Sequence, residues 1–376
     1  MEQSYRFSRL PWSILASAVA LVTLSYLAIA RAEFLAGSEL RFAERQTIWA
    51  ALAAAAMVAA TALPYRNLAR WSYLILLGAL VCLAIVYLFP PVNGARRWIR
   101  AGVVGFQPSE FAKLAFVLAL ARHLMYRDSY RRLSGLLVPV ALAFVPMLLI
   151  VREPDLGTAL IFLPVLFLML FAAGARRSHL VLAAFTACAL LPALWSQMSA
   201  EQRSRITSLP EQPPPGKKVS DDGYHLQRAK QVLALGGAWG SLISGDAADE
   251  RSAYYLPEAH TDSIFSVVAE RFGLAGLALT MTLYLVILGR AIVIAQNTHE
   301  PFGRLIVVGM TSLLGVQVMI NAGMMVGLIP ITGLALPLVS YGGSSLLSSG
   351  LALGLIVNVA IHPGYEVAGE PFRFGD

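Results

Sequence analysis

Apolar residues in this chain neither alternate nor recur in stripes. They run in continuous blocks of about 17 to 25 residues, broken by charged residues or by glycine and proline. Blocks of that length cross a bilayer as helices, and read in order they predict spans near 12–31, 47–64, 71–90, 109–125, 135–151, 157–174, 178–196, 262–289, 304–323 and 337–361. The expected fold is an all-α integral membrane protein of about ten transmembrane helices. Residues 1–376 would form one polytopic membrane domain, with residues 196–261 as a long extracytoplasmic loop between helices 7 and 8.

Composition agrees with that pattern. The chain is 57% hydrophobic and 14% charged, with a mean hydropathy of +0.66, whereas a soluble domain carries about a quarter charged residues. The net charge is +7, but the basic residues lie between the apolar blocks rather than along one stripe, which argues against a nucleic-acid partner. The first block ends in Ala28-Ile29-Ala30 like a signal-peptidase site. Its length and the many later blocks make it a retained helix. Cys82 and Cys188 lie deep in apolar blocks and read as small hydrophobes rather than as a disulfide or metal ligands.

With the N-terminus inside, thirteen arginines fall in cytoplasmic segments, among them Arg66, Arg122, Arg176 and Arg304, against seven in the short outer loops. The positive-inside rule then gives an N-in, C-in topology. Arg96, Arg97 and Arg100 break the rule, either as a plain solvated loop or because an anionic partner sits there. No Walker A motif is present, so an ATP-driven pump is not expected. In the long loop, Pro210, Pro213, Pro214 and Pro215 mark a turn-rich linker. The following YHLQRAKQVLAL (224–235) places Leu226, Ala229 and Leu233 at helical spacing, a helix expected to lie on the bilayer surface.

Residues 321–347 read NAGMMVGLIPITGLALPLVSYGGSSLL. So many Gly and Pro residues do not build an ordinary spanning helix. Irregular backbone at membrane depth needs protein or a wet cavity around it, so the segment is a cavity lining, a re-entrant turn or a hinge. The arrangement N-x-G-M-x-x-G-x-x-P-x-T-G followed by L-P-x-x-S-Y-G-G-S-S resembles the signature of the SEDS family of peptidoglycan glycosyltransferases. NGARRWI (93–99), QPSEFAKLA (107–115), EPDLGTA (153–159) and LPEAHTDSIFSVVAERFG (256–273) agree with the same family, so the resemblance covers almost the whole chain. The short N-terminal tail points to the RodA-type elongation branch over the FtsW-type division branch.

The resemblance implies polymerisation of lipid II at the outer face of the bacterial cytoplasmic membrane, alongside a class B penicillin-binding protein. A lipid II flippase and a non-catalytic scaffold are the alternatives. In the transfer, the 4-hydroxyl of one sugar attacks the anomeric carbon of an undecaprenyl-pyrophosphate-linked glycan, and lipid pyrophosphate leaves. A base and positive charge are needed, and a single carboxylate suffices because the leaving group is already a good anion. The resemblance and the position of Asp262, where the loop enters the eighth span, make it the candidate base; a helix cap is the plainer role. Glu110 and Lys113 share a helix face, so that Lys113 with Arg97 or Arg100 would hold pyrophosphate and Glu110 would orient Lys113; a structural ion pair is the alternative. Trp98 packs on lipid or sugar, or anchors at the interface. Asp155 lines the cavity or caps a helix, beside Arg152 and Glu153 in a tight charged turn. Glu258 and His260 flank Asp262, and Ser340, Tyr341 and Ser344 offer hydroxyls to a headgroup. No residue spacing demands a metal and no cofactor is evident, although a divalent cation on the pyrophosphate is conceivable. Ser263 and Arg271 depart from the family pattern after the aspartate, and GGAWGSLISG (236–245) is looser than that pattern.

Overall fold

The computed structural model describes residues 10–37, 41–91, 95–101, 104–125, 133–182, 185, 200–207, 221–246 and 251–362. It consists of helices α1 (Trp12–Ala36), α2 (Phe42–Ala62), α3 (Tyr65–Ile85), α4 (Pro108–Leu124), α5 (Leu137–Arg152), α6 (Leu156–Ala172), α7 (Ala200–Thr207), α8 (Asp221–Leu235), α9 (Ser241–Ser244), α10 (Ile264–Gln296), α11 (Pro301–Val326) and α12 (Gly343–Ile361). Between α3 and α4 lies a hairpin, β1 (Ile99–Ala101) antiparallel to β2 (Val104–Phe106), with Arg100 opposite Gly105.

Six of the described helices, α1, α3, α5, α10, α11 and α12, are long and apolar enough to cross a membrane, and α6 is a shorter apolar helix. Their outward faces are apolar: Val19, Leu74, Leu77, Leu148 and Leu285 are all exposed, as expected where hydrocarbon is the solvent. Most of the expected seventh span and the 208–220 linker lie outside the described residues.

Helix α4 is the centre of the bundle. All of its side chains except Phe111 and Arg122 are buried, packed by α3, α5, α6, α11 and α12. Helices α2 and α12 approach closely because their contact is built from small residues: a Cβ on Gly350 would overlap the backbone of Ala53, and one on Gly354 the Cβ of Ala60. Such small-xxx-small contacts replace the hydrophobic drive that lipid does not supply. Asn358 locks the far end by donating to the carbonyl of Ala60 at 2.6 Å.

Three expectations are corrected. The tenth span starts as helix at Gly343, since 337–342 is irregular. The eighth span is interrupted at Gly273, at φ 67° and ψ −163°. There the backbone N–H groups of Leu274 and Ala275 leave the helix ladder and donate to the carbonyls of Gly237 and Ala238 at 3.0 and 3.3 Å. The start of the glycine-rich stretch, residues 236–240, is thus pinned against α10, and a Cβ at Gly236, Gly240 or Gly273 would strike facing backbone. Finally, α8 does not lay its apolar face on lipid. Leu226, Ala229 and Val232 are buried against α10 and α11.

Candidate active site

Residues 327–342, between α11 and α12, form an irregular segment that is buried at Leu334 and from Leu336 to Ser340. Backbone without helix or sheet bonds must find partners elsewhere, and here they come from four helices. Ser25 of α1 donates to Val339 O at 2.6 Å, and Gln46 of α2 donates to Ser340 O at 3.1 Å. Tyr284 of α10 donates to Pro337 O, and Asn321 of α11 to Leu334 O at 2.7 Å. The backbone N–H of Leu336 is taken by Ser340 Oγ at 2.8 Å. Leu338 sits at φ 65°, a left-handed conformation uncommon for Leu and indicative of a segment held by its surroundings.

The turn carrying Asp262 is fastened to this segment. Asn321 Nδ2 donates to Asp262 O at 3.0 Å, Ser340 Oγ to Thr261 O at 2.6 Å, and Tyr341 N to His260 O at 2.8 Å. Within the turn, the N–H groups of Thr261 and Ser263 both reach Glu258 O, and Thr261 Oγ1 donates to the Glu258 carboxylate at 2.9 Å. The Asp262 carboxylate lies over Gly333: Oδ2 is 3.4 Å from where a Cβ would be. His260 stacks on Phe42, ring centroids 4.3 Å apart, with Tyr341 edge-on to both rings. Burial lowers the acid range of His260 against the opposing pull of Glu258 and Glu33. Ser263, which departs from the family pattern, is buried at the start of α10.

The other candidates lie on neighbouring elements. Lys113 Nζ donates to Glu110 Oε1 at 2.8 Å, and Ser348 Oγ of α12 donates to Glu110 Oε2 at 2.8 Å. Lys113 and Glu110 are 1% and 5% exposed, so the pair is sheltered from water. Ser344 accepts from Gln107 N at 3.0 Å and ties α12 to the start of α4, while the Trp98 ring covers Gly105 of the hairpin. Arg97 Nε donates to Glu153 O at 3.1 Å and Nη2 to Pro154 O, whereas Arg100 is exposed. Asp155 caps α6, accepting from Thr158 N and Thr158 Oγ1 at 3.2 and 2.9 Å. Gly157 lets α6 approach Thr332, whose carbonyl a Cβ there would strike.

Of the predicted site residues, Ser340 and Tyr341 lie on the irregular segment, the turn with Glu258, His260 and Asp262 is bonded to it, and Ser344, Glu110 and Lys113 form a neighbouring network on α12 and α4; Arg97, Trp98 and Asp155 bond or pack elsewhere, and Arg100 is exposed. The hydroxyls of Ser340 and Ser344 are already engaged by the protein. Sequence reasoning missed the residues that hold the site: Ser25, Gln46, Phe42, Ser348 and Tyr284 are ordinary helix positions whose partners lie far along the chain. It also missed Arg31, which is bidentate to Glu270, Nη2 to Oε1 at 2.6 Å and Nε to Oε2 at 3.1 Å, and which also pairs with Asp246. Buried charges on two apolar helices were the available signal.

Fold and site together define a multi-pass membrane protein with a cluster of polar side chains at one end of its bundle, near the N-termini of α4, α6, α10 and α12. The chain matches the FtsW/RodA/SpoVE family model, described as cell cycle protein, over residues 8–364, and it belongs to that family. It is 34% identical over 325 residues to a probable peptidoglycan glycosyltransferase FtsW of Geobacter sulfurreducens, covering 85% of each chain. It is 33% identical over 331 residues to the peptidoglycan glycosyltransferase MrdB of Escherichia coli K12, covering 87% of each. One solved structure, described as a peptidoglycan synthase complex coordinating polymerization and crosslinking, matches with a TM-score of 0.80 at 30% identity, covering 94% of this chain and 98% of that one. A crystal structure of Thermus thermophilus RodA matches with a TM-score of 0.70 at 28% identity, covering 95% and 98%.

Proposed function

We propose that this site polymerises lipid II with Asp262 as the general base. The chain is a multi-pass peptidoglycan glycosyltransferase of the bacterial cytoplasmic membrane. On this reading the polar end of the bundle is the reaction chamber, and it faces outward with both termini inside. In the reaction, Asp262 takes the proton from the 4-hydroxyl of the acceptor sugar as that oxygen bonds to the anomeric carbon of the donor glycan. The bond from that carbon to the undecaprenyl pyrophosphate oxygen breaks, and the pyrophosphate leaves with its negative charge. Arg97 and Arg100 meet that anion, while Lys113 supplies positive potential from inside a Glu110–Lys113–Ser348 network. Four helix N-termini around the chamber favour the same charge.

One observation carries the reading: the turn bearing Asp262 is bonded at Thr261 and His260 to the irregular segment and at Asp262 to Asn321 of α11, and its carboxylate lies over Gly333. Preorganisation of that kind is what a base needs to act in a fixed geometry. Among the described residues no group of three or more His, Cys, Asp and Glu is placed to chelate a metal. A divalent cation would therefore come coordinated by the pyrophosphate, and no step above depends on one. The glycan strands are crosslinked by a class B penicillin-binding protein bound to this chain.

Purified enzyme with that partner should polymerise lipid II, and Asp262→Ala should lower the rate by at least about a hundredfold while leaving folding and partner binding intact. Polymer made at the normal rate by the variant would overturn the assignment. Lipid II scrambling in vesicles without polymer would instead favour a flippase.

A further inference from the structure

Glu153 is the one fully buried carboxylate among the described residues for which neither oxygen has a hydrogen-bond partner. It ends α5, in the turn whose next residues cap α6 and touch Thr332. The guanidinium of Arg97 is already at this turn, but it bonds the backbone carbonyls of Glu153 and Pro154 rather than the carboxylate. These two contacts use two of the five N–H donors that an arginine carries.

We infer that Glu153 is a positioning residue that sets how much of the Arg97 charge is free for an anionic headgroup: uncharged it leaves the guanidinium to the substrate, and ionised it claims the guanidinium for itself. This rests on the reading of Arg97 as a pyrophosphate contact. An ionised carboxylate buried without a donor is costly, so it must either stay protonated or draw in the nearest cation. The charged and titratable groups facing it are Arg97 from the stretch before the hairpin, Asp155 from the turn, Tyr87 from the segment after α3, and Arg152 on its own helix. The Tyr87 hydroxyl is committed to Leu149 O at 2.5 Å, which leaves Arg97 as the donor within reach. Burial first, and Asp155 second, push the acid range of Glu153 up to about 8 against the opposing pull of Arg97. The changeover therefore falls at mildly alkaline pH. A pyrophosphate diester is fully ionised throughout that range, so the substrate does not contribute a titration of its own.

The test is KM and kcat for lipid II polymerisation by the full chain with its partner, from about pH 6.5 to about pH 9.5, a window that brackets the changeover. The wild type should show KM rising roughly tenfold across the window, with kcat following a different profile. Glu153→Gln and Glu153→Met, the second adding no hydrogen-bonding group, should each keep one KM throughout. A flat wild-type KM, or a rise that persists in both variants, overturns the inference. Arg97→Gln separates it from the reading it rests on. If that variant binds lipid II as well as wild type at the acidic end, the Arg97 assignment itself fails. If it binds poorly while the Glu153 variants still titrate, only the role of Glu153 fails. Infrared difference spectra read the acid directly: a protonated carboxyl band should vanish in the wild type at about pH 8 and be missing in Glu153→Gln. A wild type lacking that band also overturns the inference.

Discussion

Ser340 shows how much a single hydroxyl does in this site. It accepts from Leu336 N and donates to Thr261 O, so it closes the 336–340 turn of the irregular segment and holds the Asp262 turn at once. Ser340→Ala should cost about 1–3 kcal/mol, the loss expected when buried groups are left unpaired, measured by denaturation in detergent. Polymerisation should fall more steeply than stability does, because the turn loses its register. The Glu110–Lys113 pair differs in kind. Removing one partner strands a buried charge, so Lys113→Met should cost about 3–5 kcal/mol, while Glu110→Gln combined with Lys113→Met should recover much of it. Glu153 adds a pH signature to stability. Its acid range is raised in the folded chain, so the folded state holds a proton that the unfolded state releases, and stability falls as pH rises from the ordinary carboxylate range to about 8. Glu153→Gln should therefore gain thermal stability relative to wild type at pH 8 and show little gain at pH 4.

At the scale of elements, the break in α10 decides where Asp262 sits. Gly273 sits at φ 67° and ψ −163°, a region essentially restricted to glycine that costs an L-residue of order 1–3 kcal/mol, and a Cβ there would also strike the carbonyl of Ala238. Gly273→Ala should thus destabilise by more than the backbone cost alone and should release the 236–240 loop, seen as faster backbone hydrogen exchange at Leu274 and Ala275. Arg31 supports the same junction by bracing Glu270, one turn before the break, against Asp246. The sequence made most of this architecture legible and left the joints obscure. Continuous apolar blocks announced α1, α3, α5, α10, α11 and α12 because length and hydropathy are local properties. The irregular segment was also legible, since five glycines and two prolines in 321–347 cannot continue a helix. The break at Gly273 was not, because a lone glycine in an apolar block is tolerated in a helix, and only loop carbonyls from 237 and 238 make the break favourable. Likewise α8 carried an amphipathic pattern that suits a lipid surface and a protein groove equally; which one it meets is a tertiary fact.

At the scale of the whole molecule, the chamber can serve lipid II only if its end of the bundle faces outward, and that orientation has its own test. Arg100 is exposed on the hairpin at the chamber end, and Asn297 is exposed beyond the far end of α10. The helix from Gly273 to Gln296 runs about 35 Å at 1.5 Å per residue, longer than the roughly 30 Å hydrocarbon core, so the two positions lie on opposite sides of the membrane. In a background with Cys82 and Cys188 replaced by serine, an impermeant maleimide applied to spheroplasts should label Arg100→Cys at once. Asn297→Cys should react only after the membrane is opened. The bulk of the arginines predicts that result, with Arg66, Arg290 and Arg304 at the end shared with Asn297, while Arg96, Arg97 and Arg100 stand against the bias. The reverse labelling would place those three arginines inside, where positive charge needs no anionic partner to explain it. Arg97 would then lose its part in binding pyrophosphate, and the chamber would lie on the side of the membrane where no glycan strand is built.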